Sequence, residues 1–265
     1  MLLAKSCQQK FNINNGTIKL GTLYEYRSIE NEELLDANEG MLTFRLLFDG
    51  VVEVPIQWFV TIGGGTIGLG DYRPTIFPGR HSAHIEKVNI ERRTETTVVL
   101  RDSSAVYSRE SLNSFIFCMS RVRKTGDCKG IFSGCDDYWY LRESQAQEFG
   151  VKLGGLLLQH IYSEHALGRF VLSENTDLEA LEIRLEHRKV EYVAREVHLY
   201  DGSPLPLNEF MLKMANMAFT KPDSYRAELE YRFNFIAVCN GHIVEPLVKS
   251  VFLDSTPLLD LVFSL

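Results

Sequence analysis

The sequence predicts an α+β fold, with a mixed or antiparallel β-sheet core and inserted helices. Its first half holds six segments rich in β-branched and aromatic residues, often alternating with polar ones and separated by Gly, Asp and Asn. Helix-forming segments follow in the middle, and two more strand-like segments close the chain. This order, with strands at both ends of the chain and helices between them, is typical of α+β proteins.

The first half is predicted to consist of strands joined by turns. The alternating or β-branched segments lie at 16–27, 40–48, 56–64, 83–93, 95–102 and 113–120. A turn or short helix is predicted at 108–113, just before the last of these strands. The strand at 16–27 ends in Arg27 and is followed by an acidic stretch at 30–39, for which the sequence offers no clear role.

The second half is predicted to mix helices and strands. Residues 138–150 predict a helix that ends at Gly150, since glycine commonly follows the last helical residue. Residues 154–168 fit a buried strand or a helix equally well, and 179–193 predict a helix or turn leading into a strand. Residues 207–222 predict a helix stopped by Pro222. Strands at 227–239 and 247–254 complete the chain.

Length and composition indicate one globular domain spanning residues 1–265. The chain is 45% hydrophobic and 24% charged, and it contains no internal repeat or long linker. Its net charge of −7 argues against sequence-independent coating of nucleic acid, although a local basic groove remains compatible with it. No apolar run is long enough to span a bilayer, and the N-terminus lacks the features of a signal peptide. We therefore expect a cytoplasmic protein with no membrane partner.

Three patterns resemble known motifs but do not predict a catalytic, nucleotide-binding or metal-binding site. "GGGTIG" at 63–68 fits a dinucleotide fingerprint, but glycines and prolines follow where the phosphate-binding helix should begin. "HIYSEH" at 160–165 spaces its histidines five apart, whereas a metalloprotease helix needs four. Cys128 and Cys135 lack a zinc-ligand spacing, and an odd total of five cysteines indicates reduced thiols. We expect no metal site, although the aromatic run 138–140 could wall a ligand pocket.

Three strand-end segments carry candidate functional residues. "LYEYR" at 23–27 ends in Arg27, and "FIFCMSR" at 115–121 places Ser120 on an apolar strand. In "YRAELEYRF" at 225–233, the alternation predicts a strand that points Glu228 and Glu230 to one face. Each segment alone is compatible with an ordinary solvated strand end.

Taken together, an early Arg, a middle Ser and a late Glu-x-Glu resemble the Arg–Ser–Glu pattern of the ADP-ribosyltransferase superfamily. More than one hundred residues separate Ser120 from Glu230, in the order that the family shows. The resemblance covers about a quarter of the chain or less, and "FCMS" replaces the family's usual Ser-Thr-Ser. It implies an ADP-ribosyltransferase-like fold, and it implies that NAD is the substrate.

The resemblance also implies roles for individual residues. Arg27 would bind the NAD pyrophosphate or ribose, and Tyr26 and Tyr231 would stack on nicotinamide or adenine. Ser120 would hold the catalytic glutamate or the nicotinamide ribose. Glu230 would stabilise the oxocarbenium ion as nicotinamide leaves, while Glu228 would orient or deprotonate the nucleophile.

Three functions remain open at this stage. The first is transfer of ADP-ribose from NAD to a protein or nucleic acid inside the cell, as a toxin or phage-defence effector with a possible antitoxin. The second is hydrolysis of NAD at the same site, with water as the nucleophile. The third is a non-enzymatic binding or immunity protein whose Arg and Glu residues are surface pairs.

Overall fold

The computed structural model describes residues 1–26, 41–63, 79–193, 196–199 and 217–264. Contacts among these residues group the chain into two compact units. The first unit draws on three separate stretches of chain, namely Met1–Glu39, Asn113–Glu191 and Ser224–Leu265. The second draws on Gly40–Leu112 and Tyr192–Asp223.

The first unit is built on a nine-stranded antiparallel sheet. Its two central strands, β7 and β13, each have neighbours on both edges. In chain order the strands are β1 (Leu2–Cys7), β2 (Thr17–Thr22), β7 (Phe115–Val122), β8 (Asp137–Arg142), β9 (Leu181–Lys189), β13 (Glu230–Cys239), β14 (His242–Ile243), β15 (Ser250–Asp254) and β16 (Val262–Ser264).

The sheet forks at β7. One edge of β7 pairs with β13 from Phe115 to Ser120. The other edge pairs with β1 at Ser120–Val122 and with β2 at Phe115–Ile116, so two neighbouring strands diverge from one edge. Phe117 to Met119 lie between these two pairings. Strands β8 and β16 extend the branch that begins with β1, and β15 extends the branch that begins with β2.

One long helix, α2 (Ala146–Ala166), covers one face of this sheet. Its buried side chains include Phe149, Leu153 and Leu157, which pack with aromatic residues of the central strands in a single core cluster. Phe149 and Phe233 have ring centroids 5.5 Å apart. The aromatic positions of β7 and β13 recur at every second residue, as expected for a strand with one apolar face.

The second unit contains a mixed five-stranded sheet and a short helix. Its two longest strands pair antiparallel around a bulge, one added strand runs parallel, and a second core cluster includes Trp58 and Ile62. The elements are β3 (Met41–Pro55), α1 (Ile56–Ile62), β4 (Arg80–Lys87), β5 (Ile90–Arg93), β6 (Thr97–Glu110) and β11 (Glu196–Leu199). A separate two-stranded sheet pairs β10 (Glu191–Val193) with β12 (Thr220–Pro222).

The α+β class and the predominantly antiparallel sheets are confirmed. Most predicted strands are also found, with shifted ends; β6 in particular runs on to Glu110, where a turn or short helix was predicted. Strand β1 was not predicted, because its alternation is interrupted by a lysine and a serine. No helix in the described ranges is both long and apolar enough to cross a membrane.

Two predictions in the helical regions were wrong. Residues 56–62 form α1 rather than a strand, and Trp58 and Ile62, four residues apart, are buried on one side of it. The helix predicted over 138–150 is instead β8 followed by the start of α2, which runs through Gly150. Gly150 lies inside the helix, and the absence of a side chain there fits the packing, since a Cβ would lie 2.6 Å from a Leu185 methyl group.

Three other predictions fall wholly or partly outside the described residues. The acidic stretch 30–39 lies outside them, as does 64–68 of the glycine-rich segment. Of the helix predicted over 207–222, only the end is described. It is a 3₁₀ turn (Met217–Phe219) followed by β12.

Candidate functional site

The two faces of the β7–β13 pair differ sharply in chemistry. Antiparallel register places Phe115, Phe117 and Met119 beside Phe235, Phe233 and Tyr231 on the face that packs under α2. The opposite side carries Ile116 and is here called the polar face because its other five residues are Cys118, Ser120, Glu230, Arg232 and Asn234. Four of these five are buried, which is uncommon for charged and hydrogen-bonding side chains.

Ser120 and Glu230 are direct partners across the two strands. Side chains opposite each other in an antiparallel pair share a face, with Cβ atoms about 5 Å apart. The structure therefore brings together two of the predicted site residues that lie more than one hundred positions apart in sequence. Ser120 is 3% exposed and Glu230 is 5% exposed.

A buried ion pair holds the Glu230 carboxylate. Arg232 Nε donates to Glu230 Oε1 at 2.6 Å, and Arg232 is fully buried. The two residues alternate along β13 and so project from the same face. Charge-assisted hydrogen bonds of this kind are about twice as strong as neutral ones, so the carboxylate has a fixed orientation.

The strand begins at Glu230, so Glu228 does not share its strand face as the alternation predicted. Residues 223–228 form a 3₁₀ helix, and Leu229 adopts a left-handed backbone with φ of 51°. This reversal interrupts the period-two pattern between the two carboxylates. The Leu229 carbonyl accepts a hydrogen bond from the Arg121 amide at 2.8 Å, which fixes the entry to the strand. Glu228 lies two residues before Glu230, partly buried at the helix end.

Tyr26 lies near the polar face, although it is not on a strand. Strand β2 ends at Thr22, and Leu23 to Tyr26 form a turn. Burial raises the pKa of Tyr26 well above its usual value, and Cys118, Glu230 and Glu25 raise this pKa further through their charge. The Tyr26 ring lies over Gly21, where an added Cβ would come within 3.2 Å of it.

Tyr231 lies on the opposite side of the sheet from Glu230. Its hydroxyl is 2.7 Å from His187 Nδ1, and its ring packs beside Phe233 with centroids 5.5 Å apart. Burial raises its pKa. Successive residues of a strand alternate between faces, so the neighbour of Glu230 cannot share its face. Arg27, the sixth predicted site residue, lies outside the described residues.

A cavity of about 370 Å³ occupies the fork between β1 and β2. The buried rings of Phe117 and Trp139 line it, and their centroids are 6.0 Å apart with the planes inclined at 23°. Tyr26 also lines this cavity, which we call the fork cavity. The charge of Glu230 is one of the groups that raise the pKa of Tyr26, which belongs to this cavity wall.

Lys5 is a cation within the fork cavity that sequence reasoning missed. Its ammonium donates to the Cys118 carbonyl at 2.9 Å and lies 4.8 Å from the Phe117 ring centroid. The only signal in the sequence is a single lysine inside the short apolar run "LLAKSC". Trp139 belongs to the aromatic run that was considered as a pocket wall, and it does line this cavity.

Arg232 was also missed as part of the site, because no local pattern distinguishes it from an arginine on an exposed strand face. Only the pairing of β13 with strands on both edges makes its position internal. Among the described residues, no group of three or more potential metal ligands is found. Comparisons with protein-family models, with curated proteins and with solved structures found no match to this chain.

Proposed function

We propose that this chain transfers ADP-ribose from NAD to a macromolecular acceptor, protein or nucleic acid, at the polar face of β7 and β13. The observation that carries the proposal is the direct cross-strand pairing of Ser120 with Glu230. The Arg–Ser–Glu resemblance implies that Arg27, Ser120 and Glu230 converge on one cleft, and the pairing of Ser120 with Glu230 supports this for two of the three. Tyr26 supports it, because it immediately precedes Arg27 in the sequence and interacts with Glu230.

In the proposed reaction, the bond between nicotinamide and the ribose anomeric carbon breaks, and its electron pair leaves with the nicotinamide nitrogen. The Glu230 carboxylate stabilises the positive charge that develops on the ribose. Arg232 keeps the carboxylate oriented, and the Ser120 hydroxyl positions either the carboxylate or the ribose. The acceptor then attacks the anomeric carbon and gives up its proton to a general base. The resemblance assigns that role to Glu228, which lies at the end of the 3₁₀ helix just before β13 rather than on the strand face of Glu230. Arg27 binds the pyrophosphate of NAD in this proposal.

The test is incubation of the purified chain with NAD labelled in the adenylate half, together with cell lysate. We expect release of nicotinamide and label on a macromolecule, which protease or nuclease digestion then identifies as protein or nucleic acid. Glu230→Gln should lower the rate by about a hundredfold or more, the range found on removing one group that stabilises transition-state charge. Glu95→Gln is the matched control, because Glu95 is exposed and belongs to the second unit.

Two outcomes would overturn this proposal. One is the absence of nicotinamide release by the folded wild-type chain, which would favour a non-enzymatic binding or immunity protein. The other is a Glu230→Gln variant as active as wild type. Because Glu230→Gln weakens a buried ion pair, Ser120→Ala serves as a second variant, and circular dichroism checks that both are folded.

NAD hydrolysis is a second candidate, favoured by the 5% exposure of Glu230. A buried carboxylate is accessible to water more easily than to a side chain of a large acceptor. The same assay separates the two reactions, since hydrolysis leaves all the label as free ADP-ribose. Either activity inside the producing cell is compatible with a toxin or a defence effector that an antitoxin restrains.

A further inference from the structure

The fork cavity combines a cation with aromatic walls. We propose that it is a binding site for a compact aromatic anion, meaning a heteroaromatic ring that carries a phosphate or carboxylate group. Lys5 is the anion-binding residue. This inference goes beyond the transferase proposal and stands without it, because Glu230 and Ser120 do not line the cavity.

The Lys5 ammonium has no carboxylate partner among the described residues. A lysine ammonium has three N–H donors, and one of them is used by the Cys118 carbonyl. The Phe117 ring face lies beside it, and among the described residues no carboxylate lies within 4 Å of its nitrogen. Its side chain is partly buried, so water screens its charge less than at the surface. An entering phosphate or carboxylate would accept from the remaining donors.

The acidic side chains nearest the cavity are already paired with protein groups. Glu25 accepts from the Lys19 ammonium at 2.6 Å, and Asp137 accepts from the Asn12 amide at 2.8 Å. Lys19 also lines the cavity. An anion that enters the cavity therefore meets the Lys5 ammonium, which has no carboxylate partner among the described residues, and the Lys19–Glu25 ion pair.

The walls favour a ring on the same ligand. Phe117 and Trp139 offer buried aromatic surface, while Phe11 and Phe252 also line the cavity and are 56% and 57% exposed. Exposed phenylalanines at a cavity gain stability when a ligand removes them from water. The volume of about 370 Å³ lies near the lower end of the range for small-molecule sites, which suits a mononucleotide or a smaller aromatic acid.

The test is isothermal titration of the full chain with AMP, adenosine, nicotinate and inorganic phosphate. We expect AMP to bind at least about tenfold more tightly than adenosine, which lacks the anion, and than phosphate, which lacks the ring. Affinity for AMP should also fall as salt is raised, because ion pairing is screened. If nicotinate binds more tightly than AMP, the preferred anion is a carboxylate.

Substitutions make the assignment specific to Lys5. Lys5→Gln should weaken binding of the tighter ligand by about tenfold to a hundredfold, and Lys5→Arg should retain most of it. Lys87→Gln, the same change at an exposed lysine of the second unit, is the matched control. Phe252→Ser alters only an exposed side chain and should weaken binding even if Lys5→Gln fails to fold.

The proposal is overturned if neither AMP nor nicotinate binds the folded chain. It is equally overturned if the Lys5→Gln and Phe252→Ser variants bind AMP and nicotinate as tightly as the wild-type chain does. A chain that binds AMP but does not cleave NAD would retain the cavity assignment and contradict only the transferase.

Discussion

At the scale of single residues, the buried pair of Arg232 and Glu230 needs explaining. Taking two charges out of water costs several kcal/mol each, and their attraction repays this only with good geometry and further hydrogen bonds. A hydrophobic pair of similar volume is often at least as stable. Stability alone therefore does not account for a buried ion pair beside Ser120.

Removing one member of this pair should destabilise the chain strongly. Arg232→Met leaves the Glu230 carboxylate buried without its 2.6 Å donor, and we expect the free energy of unfolding to fall by about 3–5 kcal/mol. Urea unfolding measures it. Adding Glu230→Gln to Arg232→Met should recover part of the loss, because no buried charge then remains at this position.

The matched control is Arg184→Met, which breaks the 2.6 Å pair of Arg184 with Glu182 on the exposed face of β9. Exposed pairs contribute little, so this variant should unfold almost as wild type does. Equal losses for Arg232→Met and Arg184→Met would contradict the burial argument.

His187 provides a pH dependence at the same scale. Burial lowers its pKa below the usual 6.5, because the protonated ring is less well solvated in the folded chain. As pH falls below 6.5, the unfolded chain takes up a proton before the folded chain does. The free energy of unfolding should therefore decrease until the folded pKa is passed, and then level off. Above 6.5 the contribution of His187 is fully present.

Unfolding of wild type and His187→Gln across a pH series measures this contribution. The difference between the two curves isolates His187 from the acidic residues that titrate in both proteins. It should decrease from pH 6.5 downward; a flat difference, or one that rises, would show that burial does not hold the ring neutral.

At the scale of elements, the strands were the most predictable part of the sequence. Strand β7 was found from its apolar and aromatic residues alone, whereas β9 begins where a helix or turn leading into a strand was predicted. The pattern failed for 56–62, where aromatic and β-branched residues suit a strand and a short buried helix equally well. It also failed at Gly150, because a helical glycine at a close contact cannot be distinguished in sequence from a C-cap.

Two glycines of α2 give a direct test of helix packing. At Gly150 a Cβ would lie 2.6 Å from a Leu185 methyl carbon and 3.2 Å from the Phe233 ring. At Gly155 it would meet nothing within 4 Å. Gly155→Ala should raise the free energy of unfolding by about 0.5–1 kcal/mol, because alanine restricts the unfolded chain. Gly150→Ala should lower it by about 1–3 kcal/mol through overpacking.

Thermal or urea unfolding of the two variants compares identical chemical changes five residues apart on one helix. A stabilised Gly150→Ala variant would mean that Leu185 and Phe233 shift at no cost. That result would contradict a tightly packed interface between the helix and the sheet.

The part of the candidate site that could be predicted is the part that depends on the order of its residues in the sequence. Ser120 and Glu230 are adjacent because two strands far apart in sequence pair in one register, which the sequence suggested only through a family resemblance. Lys5 could not be found this way. Its position depends on β1 and β2 diverging from one edge of β7, and no local pattern encodes such a fork.

At the scale of the whole molecule, the chain enters and leaves the two units repeatedly. The first unit is assembled from three segments and the second from two. A search for linkers cannot detect this arrangement, because the crossings between units are not marked by low-complexity sequence. The expectation of one ADP-ribosyltransferase-like domain over residues 1–265 stays a prediction. Each unit has its own core cluster, and the two clusters share no residue.

Because the two cores are separate, we expect a cavity-forming substitution in one core to destabilise mainly its own unit. Leu46 in the second unit and Leu153 in the first are both fully buried, so each Leu→Ala change leaves a comparable cavity and costs about 2–5 kcal/mol. We expect Leu46→Ala to speed amide hydrogen exchange in β3 and β6 while β7 and β13 remain protected. Leu153→Ala should do the reverse, and it should also impair any activity that depends on Ser120 and Glu230. Exchange read out by mass spectrometry resolves these strands. If either variant sped exchange equally in all four strands, the two units would have to unfold as one cooperative body.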